Sequence, residues 1–304
     1  MYNNKMESFD YQIIANLLSG KGFTGKKLKE LENFLLKNKL TYRVLAISKP
    51  TPISLLPPDG ETKIKKGVIC LGGDGTVSET IGYMAKRKIS LPIFIIPTGT
   101  ANFLANSIGI SSRNSFKGLL KGRIKEFDLG LYHDSEKEDY FLMGVGLGFE
   151  HKFLEMAKQY QKKFLGKLSY YLPAIRELFR LRSVDYQLSV EGKPLNFRSP
   201  MVTVLNLKPK ITRLFPLFLE KDICPDDGWL DLIYVDHKNY LIDFLAVLFF
   251  HLFGSLDFGL VRRIKVKNVK IDSPAGAGLQ LDGEIKGKIP FEISIEKGKI
   301  KFLI

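Results

Sequence analysis

Val68-Ile69-Cys70-Leu71-Gly72-Gly73-Asp74-Gly75-Thr76 is the stretch on which the reading of this 304-residue chain turns. Its first four residues are apolar without interruption, as a parallel strand buried on both faces should be. Three glycines follow within four positions, and they let the backbone take positive φ and approach a ligand closely. Val77, Ile81, Met84 and Ala85 then recur at helical spacing. A strand, a glycine turn and a helix N-terminus in that order present backbone amides to an anion such as phosphate. Asp74 would repel phosphate unless a cation stands between them, and magnesium on a nucleotide resolves that conflict. The other reading is a tight turn that needs its glycines for geometry alone. The stretch is neither G-x-x-x-x-G-K-[ST], since no lysine follows, nor G-x-G-x-x-G.

Working outward, residues before about 130 alternate strand and helix signals. Tyr11–Ala15 is apolar and ends at Asn16, ahead of the turn Ser19-Gly20-Lys21-Gly22. Leu28, Leu31 and Leu35 then mark a helix, and Tyr42–Ile47 a second strand. Ile93–Ile96 follows the central motif as another strand, stopped by Pro97. This alternation predicts a doubly wound parallel sheet with helices on both faces. The loop Pro97-Thr98-Gly99-Thr100-Ala101-Asn102 would line the same crevice as the central motif, at the carboxyl ends of neighbouring strands. Thr100 and Asn102 would offer polar groups there.

After Asp128 strand-like runs dominate: Tyr140–Met143, Tyr186–Val190, Met201–Asn206, Leu230–Val235, Ile264–Ile271, Phe291–Ile295 and Lys299–Ile304. Glu191-Gly192-Lys193 and Lys297-Gly298 read as hairpin turns. The expectation is an antiparallel β-sandwich or barrel. The chain is therefore read as an α/β nucleotide-binding domain over 1–129 and a β-rich domain over 130–304.

Apolar residues make up 45% and charged residues 26% of the chain, which excludes disordered and collagen-like classes. Cys70 and Cys224 are too few for a disulfide framework. Met1–Asp10 lacks the apolar core of a signal peptide. Phe244–Gly254 is apolar but falls short of the ~20 residues that cross a bilayer. The expectation is a soluble, cytoplasmic protein. Lys and Arg number 46 against 32 Asp and Glu, a net charge of +14 that calls for an anionic partner. No zinc pattern, helix-turn-helix signal or aromatic RNA motif accompanies it, so nucleic acid is not expected.

Two acidic segments remain. Leu281-Asp282-Gly283-Glu284 reads as a hairpin turn or as a catalytic carboxylate, because an acceptor hydroxyl needs a base within hydrogen-bond reach. Pro225-Asp226-Asp227-Gly228-Trp229-Leu230-Asp231 reads as a structural turn or as a hard-cation site.

Together these pieces resemble the diacylglycerol-kinase-like lipid kinase family, which includes bacterial lipid kinases and the sphingosine kinases. Asn16–Gly22 is similar to the family's N-P-x-S-G-x-G, with Leu17 for proline. Gly72–Thr76 matches G-G-D-G-T, and Pro97–Asn102 resembles P-x-G-T-x-N. Gly148-Phe149-Glu150 resembles the segment opening the second domain. Asp227–Asp231 resembles D-G-x-L-D, and Asp282–Glu284 matches D-G-E. The resemblance runs nearly end to end.

It implies ATP- and Mg²⁺-dependent phosphorylation of a lipid hydroxyl in a cleft between the domains, with acyl chains in the β domain. Gly72, Gly73, Asp74, Gly75, Thr76, Val77 and Ser78 would bind nucleotide, with Thr100, Asn102 and Ser48. Asp282 would be the general base, and Asp74 and Glu284 would serve the magnesium network. Asp227 would hold a second, structural metal, with backbone carbonyls of Cys224 and Trp229. The sequence departs from the family at Phe103, where bacterial members carry aspartate, and at Met143, where asparagine is usual.

Two basic stretches, Lys158–Arg182 and Arg262–Lys270, suggest peripheral contact with an anionic membrane. For the first, the alternative is an amphipathic helix packed on its own protein. A homodimer is compatible with the sequence. The alternatives to a lipid kinase are an NAD kinase-like enzyme and a non-catalytic nucleotide- or lipid-binding homologue.

Overall fold

The computed structural model describes residues 7–49, 53, 62–100, 102–110, 116–161, 176–207, 223–253, 260–274 and 277–304. The middle of the basic stretch, 162–175, lies outside them. The chain divides into two compact units, Met1–Phe127 with Gly298–Ile304, and Asp128–Lys297. The sequence division at 129/130 did not provide for the return of the last stretch to the first unit.

In the first unit β1 (Glu7–Asn16), α1 (Phe23–Lys37), β2 (Tyr42–Ile47), β3 (Thr62–Gly72), α2 (Asp74–Lys86) and β4 (Ile93–Pro97) follow one another. Two short helices come next, α3 (Phe103–Ser107) and α4 (Gly118–Lys121), before β5 (Ile124–His133) begins. The strands run parallel in the order β2-β1-β3-β4. Side chains alternate across a strand, and that places the helices. Ile13, Ile69 and Leu71 meet Leu31 and Leu35 of α1. Cys70, between them in sequence, points the other way and meets Thr80 of α2, its Sγ 3.5 Å from the hydroxyl. Helices thus cover both faces, as the alternation of signals predicts. Burial pushes the Cys70 thiol up to about 12, so it is an inert core group.

The second unit is antiparallel. It contains β6 (Glu138–Phe141), β7 (Gly144–Gly148), α5 (Phe149–Gln161), β8 (Val184–Val190), β9 (Lys193–Ser199), β10 (Met201–Leu205), β11 (Leu230–Val235) and α6 (Tyr240–Phe253). β12 (Val261–Val266), β13 (Asn268–Ser273), β14 (Gly278–Leu281), β15 (Glu284–Lys288) and β16 (Phe291–Leu303) follow. One sheet has the order β12-β11-β10-β7-β14-β15, and the other includes β16-β13-β8-β9. One core joins the two, with Val145, Leu147, Val202, Leu232 and Leu279 from the first and Tyr186, Leu188, Val269, Ile271 and Ile293 from the second. This is the expected sandwich.

Two strand expectations need correction. Ile264–Ile271 is not one strand: the chain bends at Lys267, and β12 and β13 enter different sheets. Lys297-Gly298 is not a hairpin, because β16 continues from Phe291 to Leu303 with Gly298 at φ 56° inside it. The Glu191-Gly192 turn does join β8 to β9, with both residues at positive φ, the geometry that matches strand twist.

Candidate active site

In the first unit three loops converge at the carboxyl ends of β1, β3 and β4. They come close because side chains are absent. A Cβ on Gly99 would stand 2.6 Å from the Cα of Gly73. Gly20 has φ 67°, and a Cβ there would overlap the carbonyl oxygen of Thr98. Polar side chains then tie the loops. Asn16 Nδ2 donates to Thr76 Oγ1 (2.9 Å), and Thr24 Oγ1 is hydrogen-bonded to Ser19 O (2.9 Å) and Thr98 Oγ1 (2.7 Å). The Thr98 amide donates to Gly72 O at 2.9 Å.

Asp74, the first residue of α2, reaches across to α3. Its Oδ1 accepts the Leu104 amide at 2.8 Å, and the amides of Asn102 and Phe103 also stabilise its charge. Burial outweighs these donors and raises its pKa above the usual carboxylate range. Asn102 sits at φ 54° and folds back on Gly99, accepting its amide (2.9 Å) and donating to its carbonyl (2.8 Å). Its amide group therefore shapes the third loop. Thr100 is exposed. Ser48 is exposed just after β2, whose Ile47 pairs with Asn16. The N-terminus of α2 carries no side-chain cap, which leaves it suited to an external anion.

The second unit holds Asp282 at the tip between β14 and β15. It is 3% exposed and adopts φ 48°, a left-handed conformation uncommon outside glycine. Its Oδ1 accepts the amides of Met143 (2.7 Å) and Gly144 (3.0 Å), and its Oδ2 accepts that of Leu142 (2.8 Å). Its own amide donates to Gly144 O at 3.0 Å. Burial raises its pKa to about 6 against the pull of these amides and of Lys286. Oδ2 has one donor where Oδ1 has two, so Oδ2 is the oxygen with acceptor capacity left. Glu284 is half-buried, 3.8 Å from Lys286 Nζ, which pairs more closely with Asp139 at 2.7 Å.

Beneath this tip lies a polar layer that the sequence reading did not single out. Asn206 is fully buried, and its Nδ2 donates to the carbonyls of Leu142 (2.8 Å) and Asp128 (2.9 Å) while its Oδ1 has no partner. Asp128 in turn accepts the Gly228 amide at 2.7 Å. Asn206 closes an apolar run, Met201–Asn206, and nothing in that run marks it as more than a strand end.

Asp227 is already occupied. Its Oδ1 accepts the Trp229 amide (2.9 Å), and its Oδ2 meets Lys265 Nζ at 2.6 Å. A metal ligated by Asp227 would therefore share this carboxylate with the Lys265 ammonium or displace it. Cys224 is exposed, and the Trp229 ring lies under Lys267 at 4.5 Å. Among the described residues no cluster of three or more His, Cys, Asp or Glu side chains could hold a metal.

A family profile described as "Diacylglycerol kinase catalytic domain" matches residues 10–132. A second, described as "YegS C-terminal NAD kinase beta sandwich-like domain", matches residues 144–304, more than half of the chain. The chain belongs to the diacylglycerol-kinase-like lipid kinase family.

Relatives of this lipid kinase family member include a Staphylococcus carnosus (strain TM300) protein provisionally named a lipid kinase. It is 28% identical over 237 residues, covering 77% of this chain and 75% of the relative. A Staphylococcus aureus (strain MSSA476) protein with the same kind of name is 25% identical over the same shares. A crystal structure from Bacillus anthracis str. Sterne, provisionally titled a diacylglycerol kinase, superposes with a TM-score of 0.74 over 97% of both chains at 21% identity. At that identity the likeness speaks for the fold.

Proposed function

We propose that this chain transfers the γ-phosphoryl group of ATP to a hydroxyl of a membrane lipid, such as a diacylglycerol or a sphingoid base. The observation that carries the reading is Asp282, a buried carboxylate in a left-handed turn whose pKa is raised to about 6. Charged groups held at such cost and poised near neutral pH suit general-base work. Asp282 Oδ2 would take the proton of the lipid hydroxyl as its oxygen attacks the γ-phosphorus and the bond to the β-phosphate oxygen breaks, leaving ADP.

The nucleotide phosphates would lie against the Gly72–Thr76 turn and the uncapped N-terminus of α2, where amides replace the lysine of other phosphate loops. Gly73 and Gly99 let main chain, rather than side chain, line that surface. Thr100 and Ser48 would add hydroxyls. Magnesium would neutralise charge on the transferring phosphoryl group, and hard carboxylate oxygens are the donors it takes. Glu284 is a half-exposed carboxylate of that kind. Asp74 adds a second, part of whose acceptor capacity the α3 amides use. A further metal at Asp227 would have to share its carboxylate with Lys265.

The protein would work at the cytoplasmic side of a membrane. No helix among the described residues is long and apolar enough to span one. Transfer of label from [γ-³²P]ATP into diacylglycerol, monoacylglycerol, sphingoid bases and total lipid extract, resolved by chromatography, tests the proposal. Absence of any labelled lipid, with NAD phosphorylated instead, would overturn it.

A further inference from the structure

The face of α6 turned away from the sandwich carries exposed apolar side chains among the described residues. Ala246 and Val247 pack inward beside Ile233 and Val235 of β11. Tyr240 (51% exposed), Leu241 (63%) and Leu245 (38%) point outward, and Phe179 (65%) lies beside them. These side chains form one patch. The Tyr240 hydroxyl donates to the Phe179 carbonyl (3.0 Å), and the Phe244 ring stands 5.3 Å from that of Phe179 and 6.3 Å from that of Tyr240. Leu241 and Leu245 lie four residues apart, on one side of the helix.

Cations rim the patch. Arg176 and Arg180 flank Phe179 and are exposed, as is Arg182. Lys238 precedes Tyr240, and Arg262 joins it across Asp236, at 3.3 and 3.8 Å from its Oδ2. Two neighbouring carboxylates among the described residues are turned inward. Asp243 is buried against His237 Nδ1 (2.6 Å) and Ser183 Oγ (2.5 Å), and Glu177 is buried. An aromatic and leucine surface with a one-sided positive border is complementary to an anionic bilayer, whose headgroups meet the cations and whose acyl boundary receives the rings.

We propose that Phe179, Tyr240, Leu241 and Leu245 form the surface by which this protein inserts into anionic membranes. It deepens the lipid-kinase reading, which requires the enzyme to reach a lipid, and it places the contact on α6 and the Phe179 turn. From the two basic stretches the sequence singled out, Arg176, Arg180, Arg182 and Arg262 are the described residues that take part.

The full chain is sedimented with vesicles of phosphatidylglycerol and phosphatidylcholine, and with phosphatidylcholine alone, without ATP. Preferential binding to the anionic vesicles is expected. Phe179→Ser and Leu241→Ser should each weaken binding about tenfold. Arg180→Gln should weaken it about fivefold, an effect that salt erases. Leu241→Trp should be quenched by brominated acyl chains. Unchanged binding by Phe179→Ser/Leu241→Ser, or an unquenched Leu241→Trp, overturns the proposal. So does a wild-type dimer that the double variant splits while vesicle binding stays, since the face would then join two copies of the chain. Turnover of a monomeric short-chain lipid is followed in parallel. The double variant should keep it, and its absence in wild type would count against the kinase reading while leaving the vesicle result to stand.

Discussion

In the first unit the candidate site is made where side chains are missing; in the second it is made where one side chain is trapped. Gly20, Gly73 and Gly99 let three loops touch through bare backbone. Asp282 is a full carboxylate pressed into three main-chain amides. The first arrangement leaves polar main chain at the ends of parallel strands, beside the Asp74 carboxylate that α3 amides hold. The second stores a charge in a place that disfavours it. A surface made by close main-chain contact tolerates no added atoms, whereas a carboxylate held under desolvation tolerates no loss of its cage.

The harshest test of that contrast is Asp282→Asn, which keeps the shape and removes the basicity. Phosphoryl transfer should fall by about 10²–10⁴-fold, with ATP affinity unchanged, as single-turnover and equilibrium-binding measurements would show. Wild-type turnover in this variant would remove the base from the second unit. Gly99→Ala attacks the other side. Its methyl group would meet Gly73 Cα at 2.6 Å, backbone against backbone. Overpacking of this kind costs about 1–3 kcal/mol. Calorimetry should show that loss together with weakened ATP binding, and an unperturbed Kd would mean that the loops do not carry the nucleotide.

The pH profile sharpens the second half of the comparison. With its pKa raised to about 6, Asp282 should limit kcat/KM on the acid side, the rate falling about tenfold per pH unit below that point. Stability should move the other way. The folded state holds this proton more tightly than the unfolded chain, where aspartate titrates near ~4. The contribution of Asp282 is thus most favourable below that value and is lost as pH rises through about 6. Chemical denaturation at pH 4.5 and 7 on wild type and Asp282→Asn separates this effect from those of other groups. The smallest effect is expected at Lys265→Met. Its partner Asp227 is part-exposed, so the pair contributes only ~0–1 kcal/mol. Metal-dependent stabilisation of Lys265→Met, absent in wild type, would reveal that the ammonium occupies a cation site.

The parallel sheet was legible because its strands are continuous apolar runs and its turns are written in glycine. Val68–Thr76 carries both signals in nine residues, and strand and helix meet there, although β3 begins earlier than the apolar run, at Thr62. The sandwich was legible as a class, less so strand by strand. Ile264–Ile271 alternates across Lys267 as one strand would, and only partner strands in different sheets reveal the break. Gly298 looked like a turn residue, yet it serves as a positive-φ position within β16. Asp282 stood out by type and spacing, but its cage did not. Amide donors are common to nearly every residue, so no side chain announces them. Asn206 was hidden for a related reason: its two donors go to main-chain carbonyls whose positions only the fold supplies.

The cage around Asp282 has one more consequence. Its walls are the amides of Leu142, Met143 and Gly144, so the hydrogen bonds that seat this carboxylate come from main chain and not from the side chains of Leu142 and Met143. Met143, where the family resemblance leads one to expect asparagine, contributes an N–H at 2.7 Å whatever its side chain. Proline is excluded at all three positions, since it would take an amide out of the wall, and at Gly144 any side chain is, since a Cβ there would stand 2.5 Å from the Val204 carbonyl oxygen.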